Sequence, residues 1–201
     1  MHSLLSLGDS YTIGEGVPLA DSYPYQTVQL LRRAGHPFGA PEIIARTGWT
    51  TDELAFALDH TGLLPPYTAV TLLIGVNNQY RGRTLEEYHQ QFGQLLQAAL
   101  RLTPIPSRVF VLSIPDWGVS PFAAREGHDP GRIAREIDAF NAASAELTRR
   151  HGAVFLDITG HSRTEGASAE SFAADGLHPA ATAYRYWAQK LAGHIRLALV
   201  Q

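Results

Sequence analysis

The chain has 201 residues and a formal net charge of −3; 45% of its residues are hydrophobic and 17% are charged. These values are ordinary for a soluble globular protein and the length suits one core, so we predict a single domain over residues 1–201. The nearly neutral charge gives no reason to expect a nucleic acid or an anionic membrane as a partner, and the absence of cysteine excludes disulfides, thiolate catalysis and cysteine-ligated metals.

The N-terminal segment lacks the pattern of a secretion signal. Residues 3–7 run directly into Gly8-Asp9-Ser10, with no succession of a basic region, an apolar stretch and a cleavage site. No apolar stretch is long enough to span a bilayer. We therefore expect a cytoplasmic protein that is not integral to a membrane, although an exported protein whose signal had been removed would have the same sequence.

Short apolar runs typical of β-strands alternate with longer segments of helical periodicity. In chain order we predict a strand at 4–7, a helix at 24–35, a strand at 42–45, a helix at 50–58, a strand at 69–74, a helix at 84–102, a strand at 108–114, a helix at 129–147, a strand at 153–156 and a helix at 179–199. The pairs Thr50/Glu53 and Thr84/Glu87 have capping-box spacing, and Asp129 is the expected N-cap of a later helix. Regular alternation of strand and helix predicts a parallel sheet with helices on both faces.

Polar side chains suited to catalysis follow several of the predicted strands. Ser10 follows the first strand, Gly48 the second and Asn77 the third, while Asp175 and His178 lie between the fifth strand and the last helix. Ligands bind outside the carboxyl ends of the strands in open parallel sheets. Because these residues all follow strands, we expect them to meet at one edge of the sheet.

Asp175-Gly176-Leu177-His178 has the composition of a catalytic base with its orienting carboxylate. A serine hydroxyl such as that of Ser10 is a poor nucleophile until a base takes its proton, and imidazole is the suitable base near neutral pH. A carboxylate three residues before the histidine can turn back to its other ring nitrogen, and Gly176 allows the tight turn. The alternative is that both segments are ordinary turns that cap helices.

Asn77 and Gly48 are candidate oxyanion donors. The side-chain amide of Asn77 and the backbone N–H of Gly48 could both point at the oxygen of a reacting carbonyl, and losing one such donor typically lowers the rate about 10²–10³-fold. The alternatives are an asparagine turn and a simple turn glycine. Neither residue decides the function by itself.

Taken together and in this order, these segments resemble the SGNH, or GDSL-type, hydrolase family, which is named after its serine, glycine, asparagine and histidine. The resemblance covers residues 3 to about 195. The four blocks read Gly8-Asp9-Ser10-Tyr11, Thr47-Gly48-Trp49, Gly75-Val76-Asn77-Asn78 and Asp175-Gly176-Leu177-His178-Pro179.

The resemblance implies a three-layer α/β/α, flavodoxin-like fold with a five-stranded parallel sheet in the order 2-1-3-4-5. It also implies an esterase in which Ser10 attacks the ester carbonyl, His178 acts as base and then as acid, and Asp175 orients His178. The oxyanion would be held by the N–H groups of Ser10 and Gly48 and by the Asn77 amide. An acyl-enzyme forms and water releases it, so no metal or organic cofactor is expected.

The sequence departs from the family pattern at two positions. Tyr11 stands where the family name has leucine, which is a conservative change beside the nucleophile. Asn78 stands where many members have aspartate. The oxyanion role of Asn77 is unaffected, but a carboxylate at position 78 is no longer present to brace the loop.

Two kinds of residue surround the four blocks. Four aromatic side chains, those of Tyr11, Trp49, Tyr80 and Trp117, could line an acyl or alcohol pocket, and the alternative is that they pack against the sheet rim. The segment 115–128 is the longest stretch without periodicity, and it leaves the fourth strand on the active edge. We therefore predict a flexible loop that covers the substrate there.

Three classes of function remain open. The first is an esterase that acts on a small molecule, such as an acetylated sugar, an aryl ester, a thioester or a lysophospholipid. The second is a catalytically silent relative that binds carbohydrate or lipid, and the four intact blocks argue against it. The third is a nucleotide- or flavin-binding module, but no glycine-rich phosphate-binding motif follows any strand. The other histidines show no ligand spacing, so a metal site is not expected, and the sequence does not determine the oligomeric state.

Overall fold

The protein folds around one five-stranded parallel sheet. A computed structural model describes residues 1–164 and 167–200. The strands run in the order β2-β1-β3-β4-β5, and every neighbouring pair is parallel. Their bounds are Leu4–Gly8 for β1, Glu42–Ala45 for β2, Ala69–Leu73 for β3, Val109–Leu112 for β4 and Val154–Leu156 for β5. The prediction of a five-stranded parallel sheet in the order 2-1-3-4-5 is confirmed.

Helices cover both faces of this sheet. The described residues contain α1 at Ser10–Ile13, α2 at Tyr23–Arg33, α3 at Thr51–Asp59, α4 at Val76–Tyr80, α5 at Leu85–Arg101, α6 at Pro121–Arg125, α7 at Pro130–Arg150, α8 at Thr159–Arg163 and α9 at Ala181–Leu199. Helix α2 packs against α9, while α5 packs against both α3 and α7. The two groups form the outer layers of the predicted α/β/α fold. No helix in the described part of the chain is long and apolar enough to cross a membrane.

The capping signals that the sequence contains are used at three helix starts. The Glu53 carboxylate accepts a hydrogen bond from the Thr50 backbone N–H at 2.9 Å, as expected for a capping box. Thr84 accepts from the Glu87 N–H at 3.1 Å, and Asp129 accepts from two N–H groups of the first turn of α7. Each bond satisfies a backbone donor that has no partner inside its helix.

The bounds of strand β4 and helix α9 differ from the predicted ones. Strand β4 is Val109–Leu112 where 108–114 was predicted, and helix α9 is Ala181–Leu199 where 179–199 was predicted. The ladder of β4 stops before Ile114, because the N–H and C=O of Ile114 bind the side chain of Asn141 at 2.7 and 3.0 Å. Helix α9 begins at Ala181 instead of Pro179. Pro179 forms an antiparallel bridge with Phe172, so it is held in extended backbone before the helix starts.

Segment 115–128 is not the irregular loop that the sequence predicted. It contains a 3₁₀ turn at Trp117–Val119 and the helix α6. Asp116, which is 3% exposed, accepts from Arg163 Nε at 2.7 Å and from the Gly118 N–H at 2.9 Å. The segment is therefore anchored at its start by a buried carboxylate, a contact that the sequence pattern does not contain.

The centre of the sheet is the most completely buried part of the core. All five residues of β1 and of β3 are buried, because both strands have neighbours on each side and helices on each face. Gly8 ends β1 at a point where an added Cβ would meet Thr12 Oγ1 at 2.2 Å and the Leu73 carbonyl oxygen at 2.3 Å. This close approach explains the glycine directly before the turn that carries Asp9 and Ser10.

Candidate active site

The nucleophile candidate, Ser10, lies directly after the central strand β1. It opens helix α1, and its N-cap residue, Asp9, accepts a hydrogen bond from the Tyr11 N–H at 3.0 Å. Ser10 is 5% exposed, so only a small part of it reaches the surface. Its position is set by the packed end of β1 below it and by the short capped helix above it.

The base candidate, His178, is held by the carboxylate of Asp175. His178 Nδ1 lies 2.6 Å from Asp175 Oδ2. The other carboxylate oxygen, Oδ1, accepts from the backbone N–H groups of Leu177 at 2.8 Å and His178 at 3.0 Å. The carboxylate thus binds one ring nitrogen and two backbone donors at once. This arrangement fixes the ring and leaves Nε2 as the nitrogen that can exchange a proton with a substrate.

The loop that carries Asp175 and His178 is closed at its base. The Ala173 N–H donates to the His178 carbonyl at 2.7 Å, and the Ala180 N–H donates to the Ser171 carbonyl at 2.8 Å. These bonds belong to the bridge between Phe172 and Pro179. They tie the two ends of the loop together immediately before α9.

A contact with segment 115–128 holds the tip of the same loop. The Phe122 N–H, in the first turn of α6, donates to the Gly176 carbonyl at 2.9 Å. Gly176 itself has a φ of +71°, a backbone conformation that residues other than glycine rarely adopt. The turn that the sequence predicted at Gly176 is therefore present.

The pKa of Asp175 lies below its ordinary value. Partial burial raises the pKa, but the hydrogen bonds from the His178 ring and from the backbone N–H groups of Leu177 and His178 lower it by more. Asp175 is consequently ionised at neutral pH. An ionised carboxylate at this position can stabilise a protonated His178 ring during a reaction.

Asp9 has the opposite environment. It is completely buried, and burial raises its pKa from 3.8 to about 7. Oδ1 accepts from the Tyr11 N–H, while Oδ2 has no hydrogen-bond partner among the described residues. A neutral, protonated carboxyl is favoured in such surroundings. Asp9 was not predicted as a functional residue, because burial of a residue beside a turn is not visible in a local sequence pattern.

Ser10 and His178 line one cleft with a volume of about 210 Å³. Among the described residues, no direct hydrogen bond joins Ser10 Oγ to the His178 ring. The Tyr11 and His178 rings are steeply inclined to each other, with their centroids 5.9 Å apart. Catalytic hydrogen bonds are often long without substrate and shorten in the reacting complex. Both predicted oxyanion donors, Gly48 and Asn77, line the same cleft.

Gly48 lies in a β-turn at the carboxyl end of β2. The Trp49 N–H donates to the Arg46 carbonyl at 3.2 Å, and Gly48, at the third position of this turn, has a φ of +84°. A positive φ at that position is the mark of a type II turn, which glycine favours. Asn77 lies on α4, and its Nδ2 donates to the Trp49 carbonyl at 2.9 Å. An amide nitrogen has two hydrogens, so one remains for a ligand.

Asn78 braces this region with its amide. It is completely buried; Oδ1 accepts from the Thr51 N–H at 3.1 Å, and Nδ2 donates to Thr51 Oγ1 at 2.7 Å. The Thr51 hydroxyl in turn donates to Gln91. The loop is therefore braced without a carboxylate at position 78, because the amide of Asn78 supplies both an acceptor and a donor to Thr51.

Three of the four predicted aromatic residues line the cleft. Tyr11, Tyr80 and Trp117 do so, and Trp117 Nε1 donates to Gln79 Oε1 at 2.7 Å. Trp49 differs from the other three. Its partly buried side chain packs against the hydrophobic core, and the residues that line the cleft do not include it. Trp49 therefore contributes its backbone carbonyl to the contact with Asn77, while its side chain packs against the core.

Four further residues that line the cleft were not predicted as site residues from the sequence. Thr47 and Val76 adjoin predicted oxyanion residues, and Leu177 lies inside the Asp175 block, so proximity to those blocks would have found them. Phe122 lies in segment 115–128, and its aromatic side chain in that segment was the signal that could have found it, as it did for Trp117. Among the described residues, no three His, Asp or Glu side chains come together in a group that could hold a metal ion.

Residues 6–186 match the family model described as the GDSL-like Lipase/Acylhydrolase family. No curated protein matches the sequence. Among solved structures, the chain is similar to the lipase/acylhydrolase from Enterococcus faecalis, with a TM-score of 0.79 and 16% identity over 98% of this chain and 97% of that chain.

Two other solved structures have the same fold. The esterase EstA from Pseudoalteromonas sp. has a TM-score of 0.73 and 14% identity over 100% of both chains. An acetylxylan esterase from Geobacillus stearothermophilus has a TM-score of 0.75 and 17% identity over 96% of this chain and 94% of that chain. At such low identity these likenesses establish the fold and not the substrate.

Proposed function

Because the chain belongs to the GDSL-like lipase/acylhydrolase family, we propose that it hydrolyses carboxylic esters of small molecules with Ser10 as nucleophile. His178 is the general base and acid, and Asp175 orients it. The observation that carries this proposal is the single cleft lined by Ser10 and His178, with His178 Nδ1 bound to Asp175 at 2.6 Å. The nitrogen that remains, Nε2, is the one a general base in this position would use.

In the first half of the reaction, the Ser10 oxygen bonds to the carbonyl carbon while His178 Nε2 takes the hydroxyl proton. The carbonyl oxygen becomes an oxyanion, and the N–H groups of Ser10 and Gly48 and the Asn77 amide donate to it. When the bond to the leaving alkoxide breaks, protonated His178 transfers its proton to that oxygen. The products of this half are an alcohol and an ester between the acyl group and Ser10.

In the second half, water repeats the attack. His178 removes a proton from the water as its oxygen bonds to the acyl carbon, and the bond to Ser10 breaks with return of that proton to the serine oxygen. The ionised Asp175 stabilises the imidazolium that forms in each half. The steps balance with ester and water as the only reactants, so the mechanism requires no cofactor.

The size of the cleft supports a short acyl group. Its volume of about 210 Å³ is below the roughly 300–1,000 Å³ typical of sites for drug-sized ligands. The cytoplasmic location, the single domain and the absence of a nucleic-acid partner remain predictions based on the sequence. The intact hydrogen bonds of Asp175 to His178 give no support to a catalytically silent binding protein.

A series of p-nitrophenyl esters with increasing acyl length tests the proposal. We expect the highest kcat/KM with the shortest chains, and Ser10→Ala should lower kcat/KM by at least about 10³-fold. Mass spectrometry after treatment with a fluorophosphonate should find the label on Ser10. Ser107→Ala is the matched control, because Ser107 lies before β4 at the opposite edge of the sheet. Full activity of Ser10→Ala would contradict the mechanism.

A further inference from the structure

The turn that carries Gly48 is fastened by side chains from another part of the chain. Asn77 Nδ2 donates to the Trp49 carbonyl at 2.9 Å. Arg81, four residues further along, donates from NH2 to the Gly48 carbonyl at 2.7 Å. Residues four apart lie on the same side of a helix, so these donors come from one side of α4 and its C-cap. They bind two successive carbonyl groups of the turn.

Arg81 also joins the turn to the start of α3. Its NH1 lies 3.3 Å from Glu53 Oε2, and the same oxygen accepts from the Thr50 N–H at 2.9 Å. The planar guanidinium can hold two acceptors at once in a fixed geometry. Arg81 therefore connects the carbonyl of Gly48 with the carboxylate that caps the next helix, and three successive residues, 48 to 50, are held at their backbone groups.

We propose that Arg81 is a positioning residue of the oxyanion hole, which acts by holding the Gly48 turn so that the Gly48 N–H points into the cleft. This inference rests on the proposed function. Gly48 is the only residue of the turn without a side chain to limit its backbone, and a glycine with a positive φ has several other accessible conformations. A donor lowers a reaction barrier only when its direction is set before the charge develops.

The role of Arg81 is geometric and not one of charge. Its side chain is 44% exposed and is paired with Glu53, so solvent and the carboxylate screen its charge from the cleft. The residues that line the cleft do not include Arg81. Its effect on a reaction must therefore pass through the backbone of Gly48.

Arg83 provides a matched control. It too is an arginine that reaches back to α3, with Asp52 Oδ1 at 2.7 Å and Glu87 Oε1 at 2.9 Å. Its side chain makes no described contact with the turn at residues 46–49. Arg81→Met and Arg83→Met each remove one arginine that is paired with a carboxylate of α3, but only the first removes a bond to the Gly48 carbonyl.

Steady-state kinetics on p-nitrophenyl acetate separate the two variants. We expect Arg81→Met to lower kcat about tenfold with KM changed less than about twofold, because the oxyanion exists only in the transition state. Arg83→Met should retain the kinetics of the wild type. Arg81→Lys should recover part of kcat, because an ammonium can reach the Gly48 carbonyl but does not hold Glu53 at the same time.

Hydrogen exchange gives a readout of the turn that does not depend on catalysis. Exchange of the backbone amides at residues 47–50 should be faster in Arg81→Met than in the wild type or in Arg83→Met. Equal kcat in Arg81→Met and Arg83→Met would overturn the inference. The inference would also be overturned if Arg81→Lys had the full kcat of the wild type and if high salt abolished the difference in kcat between Arg81→Met and the wild type. The charge of residue 81, and not its geometry, would then be the cause.

The inference and the proposed function fail in different ways. A wild type without esterase activity, or an active Ser10→Ala variant, rejects the proposed function. An active wild type whose kcat is insensitive to Arg81→Met rejects only the positioning role of Arg81.

Discussion

The two halves of the proposed catalytic pair are held in the molecule in different ways. Ser10 follows a strand whose five residues are all buried, and Ser10 itself is 5% exposed. His178 and Asp175 lie in a loop, where the side chain of Asp175 is 43% exposed and that of His178 is 13% exposed. Packing in the centre of the sheet sets the place of the nucleophile, whereas hydrogen bonds within and around residues 173–178 set the place of the base.

The two carboxylates beside these groups show the same contrast. Asp9 directly precedes Ser10; its Oδ2 has no hydrogen-bond partner in the part of the chain that the structure describes, and burial raises its pKa to about 7. Asp175 accepts hydrogen bonds from the His178 ring and from the backbone N–H groups of Leu177 and His178, and these lower its pKa despite partial burial. One site favours a neutral acid and the other an ion. A change in the first region should therefore affect stability, and a change in the second should affect activity.

The largest expected effect on folding is that of Gly8→Ala. Its Cβ would lie 2.2 Å from Thr12 Oγ1 and 2.3 Å from the Leu73 carbonyl oxygen, so we expect a loss of stability above about 3 kcal/mol. In Gly176→Ala, in the loop that carries Asp175 and His178, the added Cβ would lie 3.3 Å from Pro121 Cβ, a tight contact but a much milder one than those at Gly8. This variant should cost about 1–2 kcal/mol, mainly through its positive φ. Urea unfolding of both variants measures the difference, and equal losses would remove the contrast between the two regions.

His178→Ala tests the other side of the comparison. We expect kcat/KM for p-nitrophenyl acetate to fall by at least about 10³-fold, because His178 is the only histidine or carboxylate among the described residues that line the cleft. The midpoint of thermal unfolding should change by less than about 3 °C, because the His178 side chain lines the cleft and is not fully buried. His60→Ala, which removes an exposed histidine, is the control for both measurements. A large loss of stability in His178→Ala would mean that the loop is part of the core.

Asp9→Asn should show how burial shapes the dependence of stability on pH. The folded state holds a proton on Asp9 up to about pH 7, whereas the unfolded state releases it near the ordinary value of 3.8. The free energy of unfolding of the wild type therefore contains a contribution that falls as pH rises from about 4 to 7 and is then constant. Asparagine does not titrate, and its Oδ1 can still accept from the Tyr11 N–H. Between pH 4.5 and 8 the variant should gain about 2–4 kcal/mol relative to the wild type.

Asp175→Asn should have the opposite and smaller effect. The lowered pKa of Asp175 stabilises the folded protein at pH values above the ordinary pKa, and this stabilisation is lost as pH falls through the folded-state pKa. The variant should therefore be slightly less stable than the wild type at pH 6–8 and equal to it in strong acid. Urea unfolding at several pH values tests both carboxylates, and slopes of the same sign would contradict the comparison.

Much of the fold and the meeting of the four blocks could be predicted from local features of the sequence. Largely apolar runs of four to seven residues predicted each strand, and capping pairs such as Thr50 and Glu53 predicted helix starts, since both depend on residues close in sequence. The chemistry of the Asp175 turn is local as well, because its carboxylate and imidazole are three residues apart. Residues that follow parallel strands reach one edge, which explains why Ser10 and Asn77 line the same cleft.

Only the tertiary structure decided the contacts between segments that are distant in the sequence. Asp116 anchors segment 115–128 through Arg163, and Arg81 holds the carbonyl of Gly48, although 47 and 33 residues separate the partners. The periodicity of apolar residues does not indicate whether the Trp49 side chain lines a cleft or packs against the core. Ser10 was thus recognisable from its turn and its motif, but the burial of Asp9 beneath it was not. Periodicity and turn chemistry are properties of neighbouring residues, whereas burial and pairing depend on which surfaces meet when the layers pack.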